Sequence, residues 1–281
     1  MRFLFFLISL FFLISSCSQE PCIPIPRMLV YNIAYHNDSI YFSTADSGIY
    51  SFPADAPAAM KRLAKAGRLP IRSIAFAQDN KLYASSYHSG VHYVRDDTLL
   101  PLSWAGQPAW SLKFDTCGSL WLAGLHGVYR QRHDSLILFK TVSGVHDIAF
   151  YGDMVAVAHM DGISIFDMKT GALVKEFCKG VICWTMSRYD TLLIGGGLNL
   201  CVIIDKDTCK KIRLGPKNNL LWSTALDRSG ALYLGTQKGL YKVKAGSDAA
   251  RCVGYKGMCI KSVLIDGKGR LWVGRFNKYK K

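Results

Sequence analysis

The chain repeats itself, and the repeat limits the possible folds more than any other feature. Ser111 to Gly124, Ser223 to Thr236 and Ser262 to Gly274 are three copies of one strand, turn, strand pattern. Each turn opens on an aspartate, which can accept hydrogen bonds from the backbone just after it, and closes on a glycine free to take a positive φ. The pairs are Asp115 with Gly118, Asp227 with Gly230 and Asp266 with Gly269. With Ile33, Ile74, Leu112, Ile148, Thr185, Thr224 and Val263 as equivalent positions, the spacings are 41, 38, 36, 37, 39 and 39 residues, which makes seven units. A second glycine opens a third strand in most of them (Gly48, Gly90, Gly127, Gly162, Gly239), and a short fourth strand such as Leu136 to Phe139 follows.

Four short strands at this period predict an all-β fold, a seven-bladed β-propeller over residues 17–281. A linear solenoid would leave two sheet ends to be capped, whereas the ends here complement each other. The seventh copy stops after its third strand, near Asn277 to Lys281, and Cys22 to Val30 precede the first copy without a partner. The expectation is a propeller closed by the N-terminal strand, which supplies the missing outer strand. A composition that is 50% hydrophobic and 20% charged, with 14 Tyr, 14 Phe and 6 Trp, suits such a packed sheet protein.

Ahead of the repeats, Arg2 is followed by an apolar run from Phe3 to Ile14 and then Ser15, Ser16 and Cys17. Residues 1–16 read as a signal peptide, since the run falls short of the ~20 residues of a spanning helix. Ile14-Ser15-Ser16-Cys17 resembles the bacterial lipobox, which implies a diacylated Cys17, a lipid-anchored lipoprotein and a place in the cell envelope, on the outer membrane. Eight further cysteines suit an oxidising compartment, either as disulfides or as buried thiols. Cys201 and Cys209 flank Asp205 symmetrically, and a hairpin centred there would bring them opposite one another. A two-residue turn at Lys206 and Asp207 would instead set Cys209 against Ile204.

The best-kept copy, Asp227 to Tyr241, resembles the two-component regulator propeller repeat, roughly Asp-x-x-Gly-x-Leu-Trp-x-Gly-Thr-x-x-Gly-Leu-Tyr. Asp266 to Gly274 match its first half, Asp115 to Tyr129 match with Ala123 and Gly124 shifted, and the other units match in outline. The resemblance implies a ligand-binding sensor propeller, of the kind that in gut Bacteroidetes forms the periplasmic part of a longer histidine kinase and is associated with carbohydrate. The 281 residues carry no kinase or DNA-binding segment, so ligand binding is the share of that function expected here.

Two residues before the equivalent positions stand Tyr31, Arg72, Trp110, His146, Cys183, Trp222 and Lys261. Inner-strand starts of a propeller surround the channel, so these aromatic and cationic side chains, with Arg275 from a loop, are the candidate ligand site. They suit an acidic oligosaccharide: flat rings for sugar C–H faces, Arg and Lys for carboxylate or sulfate. The competing reading is plain packing between blades. His88, His126, His146 and His159 fall in or near consecutive loops of units two to four and are candidate ligands of a divalent metal. That arrangement is similar to oligogalacturonate lyases, in which a metal polarises the uronate, and supplies the alternative of a metal-assisted polysaccharide lyase. No cofactor is otherwise called for.

The sequence reads as non-catalytic. It lacks a Gly-x-Ser-x-Gly elbow, and Gly195, Gly196 and Gly197 are not spaced as a nucleotide-binding loop. After residue 16 the only glutamates are Glu20 and Glu176, too few for a Glu acid/base pair. The formal charge is +15, and residues 201–281 hold 18 Lys and Arg against 5 Asp and Glu. Such a basic sector favours an anionic ligand, anionic headgroups or an envelope protein for which the propeller is a scaffold. No recognition helix or zinc finger points to nucleic acid.

Overall fold

The computed structural model describes residues 22–25, 28–67 and 69–276. The signal segment and Cys17 lie outside them. The chain is a β-propeller of six four-stranded sheets and one three-stranded sheet. Each of the first six repeats forms a complete antiparallel blade in chain order, with inner strands Val30–His36, Ile71–Phe76, Ala109–Phe114, Val145–Tyr151, Cys183–Tyr189 and Leu221–Leu226. The predicted seven equivalent blades therefore become six complete ones. The last repeat supplies two strands, Ile260–Ile265 and Leu271–Arg275, and Cys22–Pro24 joins the second of them in parallel, pairing Cys22 with Leu271 and Pro24 with Val273. The N-terminal strand thus takes the third place in that sheet, not the outer fourth.

The inner strands Ile260–Ile265 and Val30–His36 then stand side by side, where the Ser262 hydroxyl accepts the Ile33 amide at 3.0 Å. Outside them, Asp55 bonds Arg270 Nη1 at 2.7 Å and Lys268 Nζ at 2.5 Å. The ends of the described chain meet in one apolar cluster that holds Ile25, Val30, Ile33, Phe42, Phe52 and Trp272.

Blades pack face to face, so the core is a series of inter-blade layers rather than one centre. Trp121, Ala123 and Val128 of the third blade meet Ile148, Val155, Val157 and Phe166 of the fourth. Complete burial of an indole such as Trp121 removes a large apolar area from water, of the order of ~3 kcal/mol. The repeat's aspartates explain why Trp recurs there. Asp115 Oδ1 accepts the amides of Cys117 and Ser119 at 3.0 and 2.9 Å, closing the turn, while its Oδ2 accepts Trp121 Nε1 at 2.8 Å. Asp266 does the same for Lys268, Arg270 and Trp272. The turn glycines Gly118, Gly230 and Gly269 take φ of 80°, 79° and 81°, as the spacing requires.

The cysteine question resolves by register. Ile204 pairs with Cys209 and Cys201 with Ile212, which sets the hairpin turn at Lys206 and Asp207. Cys201 and Cys209 are both free thiols. No helix among the described residues is long and apolar enough to cross a membrane.

Candidate functional site: a ring of bulged residues

Every inner strand breaks its pairing at one place. The register slips between Val30 and Asn32, Ile71 and Ser73, Ala109 and Ser111, Val145 and Asp147, Cys183 and Thr185, Leu221 and Ser223, and Ile260 and Ser262. A bulge leaves one residue without a partner and re-aims its side chain. The seven skipped residues are Tyr31, Arg72, Trp110, His146, Trp184, Trp222 and Lys261, and all seven line one cavity of about 330 Å³. The repeat has placed one large side chain per sheet at the mouth of the channel.

These side chains form a closed circuit. Arg72 lies over Tyr31 at 4.3 Å and over Trp110 at 5.5 Å from the ring centres. Trp110 meets His146 edge-on at 5.5 Å, His146 stacks on Trp184 at 3.8 Å, and Trp184 meets Trp222 at 5.4 Å. Lys261 Nζ stands 2.8 Å from the centre of Trp222 and 5.6 Å from that of Phe276, which returns to Tyr31 at 4.5 Å.

Six of the seven expected ligand-site residues are therefore brought together: Tyr31, Arg72, Trp110, His146, Trp222 and Lys261. Two corrections follow. In the fifth blade the ring residue is Trp184; Cys183 is buried in the apolar layer between blades four and five. The position equivalent to Ile148 in the fifth blade is Met186, one residue after Thr185, since Met186 pairs with Gly195 as Ile148 pairs with Val157. Arg275 pairs with Ile260 at the end of its strand and does not line the cavity. Sequence reasoning missed Phe276 as well as Trp184. The signal for Trp184 was present: each bulged residue is followed by Asn32, Ser73, Ser111, Asp147, Thr185, Ser223 or Ser262, and that small polar residue fixes the register.

The small polar residues stitch neighbouring sheets below the ring. Asn32 Oδ1 accepts the Ile74 amide at 3.1 Å, and Asp147 Oδ2 accepts the Met186 amide at 2.9 Å. Asp147 Oδ1 also takes the Ser111 hydroxyl at 2.8 Å and pairs with Lys113 Nζ at 2.9 Å. Lys113 reaches on to the Met186 carbonyl at 2.9 Å, so one amine ties three consecutive inner strands. Asp147 is thus engaged on both oxygens.

Nothing comparable neutralises the ring. Among the described residues neither Arg72 nor Lys261 has a carboxylate within ion-pair distance, and aromatic faces hold both cations in place. Burial pulls the Lys261 ammonium down to about 7, and the nearby Arg72 charge adds to the fall. Burial likewise lowers His146 to about 4, so it is neutral at pH 7. Burial raises the Tyr31 hydroxyl. The mouth of the channel is a cationic, aromatic cavity with donors in excess.

The four histidines suggested as metal ligands do not gather. His146 is in the ring, with Nε2 at 3.3 Å from Met160 Sδ. His159 is held by the Ser164 hydroxyl at 2.9 Å and by the Asp161 amide at 3.2 Å. His88 packs edge-on to Tyr87, and His126 is exposed on its loop. Among the described residues no three His, Cys, Asp or Glu side chains are placed to share a metal ion.

No protein-family model matches the chain, and no curated protein matches it. Solved structures do. The chain resembles the extracellular domain of BT4673 from B. thetaiotaomicron, named as a hybrid two component system, at 15% identity and TM-score 0.73, over 90% of this chain and 38% of that one. A second structure, naming BT4673 a one component system, gives 16% identity and TM-score 0.71, over 88% and 39%. A streptogramin B lyase matches at 11% identity and TM-score 0.73, over 89% of this chain and 92% of the other. The shared property is the propeller fold. The chain spans well under half the length of the BT4673 chains.

Proposed function

We propose that this protein is a non-catalytic binding propeller of the bacterial cell envelope, lipid-anchored through Cys17, whose ring cavity takes an acidic glycan. The three-stranded sheet counts as its seventh blade. The observation that carries the reading is the ring: seven sheets each spend a bulge to send one aromatic or basic side chain to the same cavity, and Arg72 and Lys261 meet no carboxylate there among the described residues. Packing alone would favour apolar residues at those positions, because a buried charge without a counterion is costly. An anionic ligand supplies the missing counter-charge, and tyrosine and tryptophan rings suit a sugar's C–H faces. The fold likeness to the extracellular domain of BT4673 supports a sensor-type role.

The test is a glycan array probed with the soluble form from residue 18 onward. Uronate or sulfated oligosaccharides should be retained at low salt and lost as ionic strength rises past physiological, where the screening length is ~8 Å. Retention of neutral glycans alone, or of none, would contradict the proposal. For the anchor, Cys17→Ala should release the protein from detergent partitioning.

A further inference from the structure

Three buried nitrogens at the ring have no hydrogen-bond partner among the described residues: Arg72 Nε, Trp110 Nε1 and His146 Nδ1. They belong to consecutive inner strands, and their side chains touch in the order Arg72, Trp110, His146. Buried polar groups are nearly always paired, and three orphans side by side mark a place where a partner belongs. His146 itself is only 8% exposed.

Their chemistry differs in a useful way. Arg72 Nε and the Trp110 indole can only donate. His146 is neutral at pH 7, and its Nε2 faces Met160 Sδ, which can only accept, so the proton sits on Nε2 and Nδ1 offers a lone pair. The row reads donor, donor, acceptor. Its complement is two acceptors followed by a donor.

We infer that Arg72, Trp110 and His146 form a seat for a carboxylate with a neighbouring hydroxyl, the pattern a hexuronic acid presents at its C6 carboxylate and C4 hydroxyl. This deepens the acidic-glycan reading and rests on it. The carboxylate takes the Arg72 Nε–H and the Trp110 Nε1–H, and the hydroxyl donates to His146 Nδ1. The seat discriminates against a neutral sugar, whose hydroxyls can accept the two N–H groups but bring no charge to Arg72, and against a simple acid, which leaves the lone pair orphaned. The three nitrogens are shielded from solvent and the Tyr87 ring lies 4.4 Å from that of Trp110, so the ligand reaches them as the Trp110 ring turns from Tyr87.

The experiment compares D-glucuronate, its methyl ester, D-glucose and tetrahydropyran-2-carboxylate by calorimetry on the wild-type protein and on Trp110→Phe and Arg72→Lys. Trp110→Phe keeps a ring and removes the indole N–H, and Arg72→Lys keeps a charge and removes the Nε–H with the planar guanidinium. Glucuronate should bind best, with the other three probes and both variants about tenfold weaker or more. In ¹⁵N-tryptophan spectra, the indole resonance missing from Trp110→Phe should be the one that moves on adding glucuronate. Thermal melting shows whether each variant is folded; should either fail to fold, the probe series and the indole shift on the wild type decide alone. Glucuronate binding that is equal in folded variants, or matched by tetrahydropyran-2-carboxylate, would overturn the seat while leaving acid binding intact, whereas binding matched by glucose would overturn both readings. No binding by any probe would overturn both readings.

Discussion

Lys261 holds its amine 2.8 Å from the centre of the Trp222 ring and pairs with no carboxylate among the described residues. An amine so placed rests its charge on a ring quadrupole, and burial, partly offset by the neighbouring Cys259, brings its pKa to about 7. The consequence for a ligand has a definite sign. An anion favours the protonated amine, so its affinity is greatest below pH 7 and falls as pH rises through that value, by up to tenfold per unit. Calorimetry with glucuronate between pH 6 and 8.5, where its carboxylate stays ionised, should show this fall, and Lys261→Met should flatten it. The same slope in the variant would assign the titration elsewhere. Folding alone behaves oppositely. Between about 7 and the ordinary lysine value of 10.5 the unfolded chain holds more protons, so Lys261 makes stability rise with pH across that window.

Trp184 and Cys183 separate site from core by one residue. Trp184→Ala should weaken an acidic ligand about tenfold while barely moving the melting temperature, because the side chain lies at the cavity. Cys183→Ser should do the reverse, since it puts a hydroxyl into the apolar layer between blades four and five. Binding and melting measured on both variants check the pair; a swap of the two outcomes would restore the alignment that placed Cys183 at the ring.

That one-residue slip shows what was legible. The glycines and aspartates of the turns are local signals, and they disclosed strand, turn, strand units whose period meant a propeller. The bulge is only partly local, since the small polar residue that follows it is the one mark it leaves in the sequence. Where Cys183, Trp184 and Thr185 stand in register depends on the neighbouring strand that ends in Gly195 to Gly197, and three glycines give a sequence reader no alternation to count. The closing sheet was misjudged for a similar reason: strand number in the last repeat depends on where Cys22–Pro24 pairs, and it pairs beside Leu271–Arg275 in parallel. The three orphaned nitrogens are a property of packing, which no spacing encodes.

Ring closure should dominate stability. Deleting Cys22 to Arg27 removes the strand paired with Leu271–Arg275 and uncovers its edge, so the melting temperature should fall by several degrees and aggregation increase. Asp55→Ala, which cuts only the exposed pairs to Lys268 and Arg270, should shift it little. Equal effects in a thermal scan would mean that the outer ion pairs, not the strand, join the ends.

The register of the fifth blade makes a chemical prediction. Cys209 faces Ile204 and Cys201 faces Ile212, and burial pushes the Cys201 thiol up to about 12, so it is protonated and unreactive at pH 7. Peptide mapping without reduction should find no Cys201 to Cys209 linkage, and alkylation of the folded protein should spare Cys201. A mapped linkage would show that the hairpin is centred on Asp205.

The central claim is that the bulged ring is an anion site, and calorimetry of a uronate disaccharide at low salt tests it most directly. Wild-type protein should bind one molecule per chain, and the double variant Arg72→Ala with Lys261→Ala, still folded by its melting curve, should lose that binding together with its salt dependence. Equal binding by the double variant, or no heat from the wild type at millimolar ligand, would leave the ring as packing and contradict the account.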